Sequence, residues 1–328
     1  MDSSLRPMST SQVLDRTFSL YRQNFLLFAG IAAVPPAFLL LGQLGFVAAG
    51  NVTVFSRRPE LQVAGIVAAV LTAIVLIALW LIGYALATGA SVYAVTRVHL
   101  GHKTSIAEAY KMIFPATGTI LGIVVLEFLV IAGAVIAVMM VFIVPLIALG
   151  VVPKGRAAAA PGVLAVLAFL FLIPLLIALV FFLTAKFSLA VPAAVVERLD
   201  VIESVKRSWS LSNGSVLRLI LVIVLAAIIS FALAAALSIP YFIGIALAVK
   251  SKDPSRLLPF VIWQYVADFI SRSIAFPIAT IAVTLIYYDE RVRKEAFDLQ
   301  LMMEAIGQPP PPPPLESHPA PGTTSTVG

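Results

Sequence analysis

The stretch AAVVERLDVIESVKRSWSLSNGSVLR, Ala193 to Arg218, decides how this chain is organised. It carries Arg198, Lys206, Arg207 and Arg218 between two apolar runs, each long enough to cross a bilayer, so it reads as a charged connection at a membrane surface. Within it Val201, Ile202, Val205, Trp209 and Leu211 recur at roughly helical spacing while Lys206, Arg207 and Ser210 fall elsewhere, the pattern of a helix lying in the interface.

Outward from this connection the chain alternates apolar runs with polar links. The runs cover about 26–50, 61–96, 117–149, 161–192, 217–249 and 259–288. With 61% hydrophobic and 12% charged residues the composition lies outside that of soluble domains. The expected fold is all-α: a polytopic integral membrane protein of six transmembrane helices with short amphipathic helices at the cytoplasmic interface. Residues 1–307 form the membrane domain, and 308–328 a disordered proline-rich cytoplasmic tail opening with Pro309 to Pro314, a spacer or an SH3-type ligand.

Several features refine the spans. Three arginines precede Phe25 to Leu41, too long a polar lead for a signal peptide, so the first run is an uncleaved helix, with a kink expected at Pro35-Pro36. Leu61 to Thr96 carries no charge; as one straight helix it measures about 54 Å against a hydrocarbon core of about 30 Å, so it is a single tilted or protruding span. About twice as many Lys and Arg fall on the side of Arg6, Lys103, Lys206 and Arg293 as on the side of Arg57, Lys154 and Lys252, which places both termini in the cytoplasm of a cell with a multi-pass plasma-membrane protein. The net charge of +6 then faces anionic lipid at the cytoplasmic surface of the bilayer rather than nucleic acid. A membrane-protein partner fits the same placement. No cysteine is present, which removes disulfides, thiolate chemistry and cysteine metal sites, and no motif calls for a cofactor.

Amphipathic helices are expected to begin near Ser9, Thr104, Asp200 and Asp289, with Ser9 and Gln12 forming a capping box and Thr104 an N-cap. The first three each precede two spans. SIAEAYK (Ser105 to Lys111) resembles VIESVKR (Val201 to Arg207), and VLDRTFSLYR (Val13 to Arg22) shares their spacing. Two readings stay open: three hairpins built alike, or unrelated loops of similar length converging on basic amphipathic helices.

IYYDERVRKEAFDLQLM, Ile286 to Met302, resembles the end of the glycerophosphoryl diester phosphodiesterase membrane domain, where aromatic-Tyr-Asp is followed by Arg-Val-Arg-Lys-Glu-Gly-Phe-Asp. Ala296 stands where Gly is usual and Glu290 where an apolar residue is common. LAVPAAVVERLDVIESVKRSWSLSNG (Leu189 to Gly214) is similar to that family's internal loop and VLDRTFSLYRQNF to its first amphipathic helix. The resemblance implies a membrane domain with no established activity of its own. Nothing in the chain resembles the His-Arg-Gly and Glu-x-Asp motifs of the phosphodiesterase barrel that accompanies it in some members.

Ionisable residues within the spans are the candidate functional groups, because an unpaired charge there costs several kcal/mol. Glu127 and Lys186 flank the loop near Gly155 at similar distances, so an antiparallel hairpin brings them to one depth as a pair, a snorkelling arrangement or a ligand site. Asp268 and Arg272 are four apart and able to pair on one helix face. His99 and His102 read as surface residues rather than a metal site; Trp80, Trp209 and Trp263 as interfacial anchors; Gly118, Gly122, Ala85 and Gly89 as helix-packing positions. Three functions remain in view: a non-enzymatic lipid-binding or membrane-accessory protein, a transporter of lipid or small molecules with a cavity between kinked helices, and an intramembrane enzyme acting on lipid headgroups.

Overall fold

The computed structural model describes residues 8–50, 59–148, 159–251 and 253–295. The proline tail and the continuation of the C-terminal amphipathic pattern, 296–328, lie outside them. Twelve α-helices and two short 3-10 turns are present among the described residues: α1 Thr10–Gln23, α2 Phe25–Ala32, α3 Val34–Gly50, α4 Pro59–His99, α5 Ile106–Ile113, α6 Thr117–Ala148, α7 Ala159–Phe187, α8 Ala190–Glu197, α9 Val201–Ser212, α10 Val216–Leu237, α11 Ile239–Ser251 and α12 Leu258–Glu295. Five segments are long and apolar enough to cross a membrane, and α2 with α3, bent by 48°, makes a sixth if the pair is one span. The chain is an all-α, multi-pass membrane protein.

Prolines set the breaks. Pro35 has no N–H for the carbonyl of Ile31, and the Tyr110 hydroxyl of α5 donates to that oxygen at 2.7 Å. Close to Pro192 the helix is interrupted, α7 ending at Phe187 and α8 starting at Ala190, while Leu170–Glu197 remains one membrane span as expected. Pro240 divides the expected fifth: it ends at Leu237, and Ile239–Ser251 is a separate short apolar helix rather than its continuation to Val249. Orphan carbonyls at these ends find side-chain donors, Ser208 Oγ to Lys186 at 2.6 Å and Trp263 Nε1 to Leu237 at 2.9 Å.

α12 is the central helix. Of its most apolar 18-residue stretch 61% is buried inside the protein, against 6% for α4, whose outer face is left to lipid. α4 and α12 run parallel, with Tyr84 against Phe276 and the Tyr288 hydroxyl 3.1 Å from Thr96 Oγ1. α10 runs antiparallel to α12, tied by Arg218 to Asp289 at one end and by Leu237 to Trp263 at the other. α4, α6, α7, α10 and α12 each touch the next, and α12 touches α4, closing a ring of five helices. Gly89 and Gly122 mark close approaches, since a Cβ there would meet Ile120 and Val201 respectively, whereas Gly118 has open space beside it.

The short helices α1, α5 and α9 each lead into a long apolar segment. All three are N-capped by a side chain that accepts from the backbone three residues on: Ser9 from Gln12, Ser105 from Glu108 and Asp200 from Glu203. The cap of α5 is therefore Ser105, not Thr104, whose hydroxyl donates to the Glu108 carboxylate instead. Asp289 starts no helix at all: α12 runs through it unbroken.

Two of these helices turn small or mixed residues inward and large apolar ones outward. α9 turns a ridge of Ser204, Ser208, Leu211 and Ser212 to the protein and leaves Ile202 and Trp209 exposed. α1 buries Val13, Thr17, Leu20 and Tyr21 while Phe18 and Phe25 stay outside. Small hydroxyl residues allow a close helix approach, so the largest apolar side chains are free to face lipid.

Candidate functional site

Two regions gather the polar residues, and they are built differently. The first is an ionic knot where the last three turns of α12 meet α1, α8, α9 and α10. Asp289, fully enclosed, accepts from Arg218, from Arg293 at 2.8 Å and from the Met8 amide. Arg218 and Arg293 also donate to the Met8 carbonyl. Glu290 lies 3.6 Å from Arg218 and 3.3 Å from Lys294, whose ammonium caps the end of α9 through the carbonyls of Leu211 and Asn213. On the other side of α12, Glu197 accepts from Arg207 at 3.0 Å and from the Tyr287 hydroxyl, with Arg291 3.7 Å away and Glu295 bridging Arg207 and Arg291.

The knot positions its own members through local backbone choices. Arg198 ends α8 in the left-handed conformation, φ 56°, and Gly214 turns the chain from α9 to α10 at φ 87°. Tyr21 reaches from α1 to the carbonyl of Ile274 near Pro277, and burial pushes its phenol up to about 12, so it remains a donor at neutral pH.

Beside the knot lies an open groove of about 840 Å³ between Met8–Thr10, Asn213–Leu221 and the end of α12. Arg218, Arg293 and Lys294 line it, and Leu217 and Leu221, both exposed, form its apolar rim.

The second region lies within the bundle. One cavity, about 340 Å³, occupies the five-helix ring, with Glu127, Thr88, Thr184 and Thr284 on its wall and Phe187, Ser188 and Pro192 where α7 gives way to α8. Another, about 410 Å³, is bounded by Pro35, Pro36, Trp80, Phe231, Asp268 and Arg272. Tyr84, Ser230, Ala275 and Phe276 line both, and the Tyr84 and Phe276 rings meet edge to face at 5.5 Å between them.

The four residues singled out by their spacing fall as follows. Glu127 and Lys186 do not pair. Lys186 is buried and donates to Asn213 Oδ1 at 2.6 Å, with its ammonium 5.4 Å from the Trp209 ring. Thr184, Phe187 and Ser188 border the Glu127 cavity, but residue 186 sits about 200° around the helix from 184 and faces α9 instead. Asp268 and Arg272 share a cavity wall, yet among the described residues no ion pair joins them; Asp268 accepts from Gln264 Nε2 at 3.2 Å and Arg272 is exposed. His99 stacks on Tyr288, and among the described residues no group of His, Cys, Asp or Glu is arranged to hold a metal. Trp80 stacks on Tyr84 at the cavity rather than standing alone.

Residue spacing did not single out the knot. Its signal was present in DERVRKE, where Asp289 with Arg293, Glu290 with Lys294 and Arg291 with Glu295 are each four apart. Comparison with known proteins finds no matching family model, no matching curated protein and no matching solved structure.

Proposed function

We propose that this chain is a non-enzymatic lipid-binding protein of the plasma membrane that holds an anionic lipid headgroup in the groove beside the ionic knot. The observation that carries the reading is the pairing of chemistries in that groove: Arg218, Arg293 and Lys294, three cations against the one carboxylate of Glu290, on one side and exposed Leu217 and Leu221 on the other. A lipid phosphate matches the cations and its acyl chains match the leucines. Exposed Lys111 and Met112 at the end of α5 with Phe114 after it, and exposed Ile202, Lys206 and Trp209 on α9, support a basic amphipathic surface lying in a headgroup layer. By the positive-inside rule that end is cytoplasmic, with both termini on the same side.

The test is native mass spectrometry of protein released from nanodiscs of mixed phosphatidylglycerol and phosphatidylcholine. Selective retention of phosphatidylglycerol, reduced by Leu217→Asp at unchanged melting temperature, is expected. Equal retention of both lipids by the wild type removes the proposal. A second reading, transport of a small molecule or lipid, rests on the two cavities that meet at Tyr84 and Phe276 between kinked helices. Proteoliposome uptake that Phe276→Ala accelerates would favour it.

A further inference from the structure

The cavity inside the five-helix ring has a one-sided polar chemistry. Among the described residues Glu127 is the only charged one on its wall, and no Lys or Arg lines it. Thr184 and Tyr84 add further hydroxyls to the wall, but four others have their protons engaged: Thr88 donates to Tyr84 O, Ser188 to Ala185 O, Ser230 to Ala226 O and Thr284 to Thr280 O, all at 2.7 to 2.8 Å. What these groups offer the cavity is oxygen lone pairs, beside a carboxylate that is itself acceptor-only when ionised. The remaining wall is apolar and aromatic, with Tyr84, Phe187 and Phe276. A carboxylate without a cation in such surroundings is costly, and an occupant carrying the opposite charge relieves that cost.

We propose that this cavity binds a primary ammonium ion with an apolar body. Glu127 is its counter-ion, the back-bonded hydroxyls accept its N–H protons, and the aromatic rings present their faces to the cation. The volume of about 340 Å³ suits a small organic amine or the ammonium head of an aminophospholipid. Lys186, on the opposite face of α7, is held by Asn213 and Trp209 and does not compete for Glu127. The site is independent of the groove beside the ionic knot and makes the opposite demand on charge.

The experiment measures binding of phenethylammonium and of its neutral isostere 2-phenylethanol to the full-length protein by isothermal titration, first in detergent. Saturable ammonium binding is expected, with the alcohol weaker by about tenfold or more, and loss of a similar factor in Glu127→Gln. Repeating the titration in phosphatidylcholine nanodiscs with and without phosphatidylethanolamine separates the sources. Suppression by phosphatidylethanolamine identifies a lipid headgroup as the occupant, and unchanged binding identifies a soluble amine. Equal binding of ammonium and alcohol to the wild type overturns the proposal without reference to any variant. So does ammonium binding that survives undiminished in Ala279→Leu, which fills the cavity from α12.

Discussion

Asp289 and Asp268 stand on one helix, twenty-one residues or roughly 30 Å apart, in opposite surroundings. Asp289 is fully enclosed and saturated by two guanidinium groups and a backbone amide; Asp268 is half-buried on a cavity wall with one amide donor. The difference teaches which charges hold the fold together and which are left for a ligand. Removing a partner from a dry, saturated cluster leaves a buried charge uncompensated, whereas a cavity wall already tolerates an incomplete set of partners.

The largest effect is therefore expected at Asp289. Asp289→Ala takes a carboxylate from both Arg218 and Arg293 and frees the Met8 amide, and should destabilise by roughly 3 to 5 kcal/mol in a reversible SDS or urea titration of detergent-solubilised protein. A change below about 1 kcal/mol would place the knot among weak surface ion pairs and dissolve the contrast. Next comes Glu197→Gln, which weakens the contacts to Arg207 and Tyr287 while keeping the shape; about 1.5 to 3 kcal/mol is expected, the range of hydrogen bonds to charged groups.

Tyr110→Phe probes the bend instead of the knot. The carbonyl of Ile31 that Pro35 leaves without a partner loses its donor, at a cost of about 1 to 3 kcal/mol, and proteolysis near the α2–α3 bend should accelerate. An unchanged melting curve would mean that another donor reaches that oxygen. The cavity is expected to show no loss at all: Glu127→Gln removes an uncompensated carboxylate and should leave stability unchanged or raise it, and its effect should add to that of Lys186→Met, because the two side chains do not meet. Coupling above about 0.5 kcal/mol between them would reinstate the hairpin pair.

How far the sequence leads can be followed residue by residue. The apolar runs locate the membrane segments because the bilayer imposes a minimum length, and Pro35-Pro36 locates the first bend because proline removes a donor. The capping box at Ser9 and Gln12 is equally legible, being a contact over three residues, and it forms as expected. Three of the four expected amphipathic helices appear as capped helices at Ser9, Ser105 and Asp200. Pro192 and Pro240 carried the same information as Pro35, yet their runs are apolar enough to hide a break within one span.

Local rules thus determined the helices and their approximate ends, since both depend only on bond geometry and hydropathy along the chain. Tertiary structure decided the azimuths: Lys186 toward Trp209, Trp209 toward the outside, Ser204 and Ser208 toward the core, and Asp289 into a cluster with residues 71 and 281 positions away in sequence. The physical reason is that a helix between lipid and protein can offer an apolar side chain to either, so hydropathy does not distinguish its two faces, and only the mutual fit of neighbouring helices fixes the rotation.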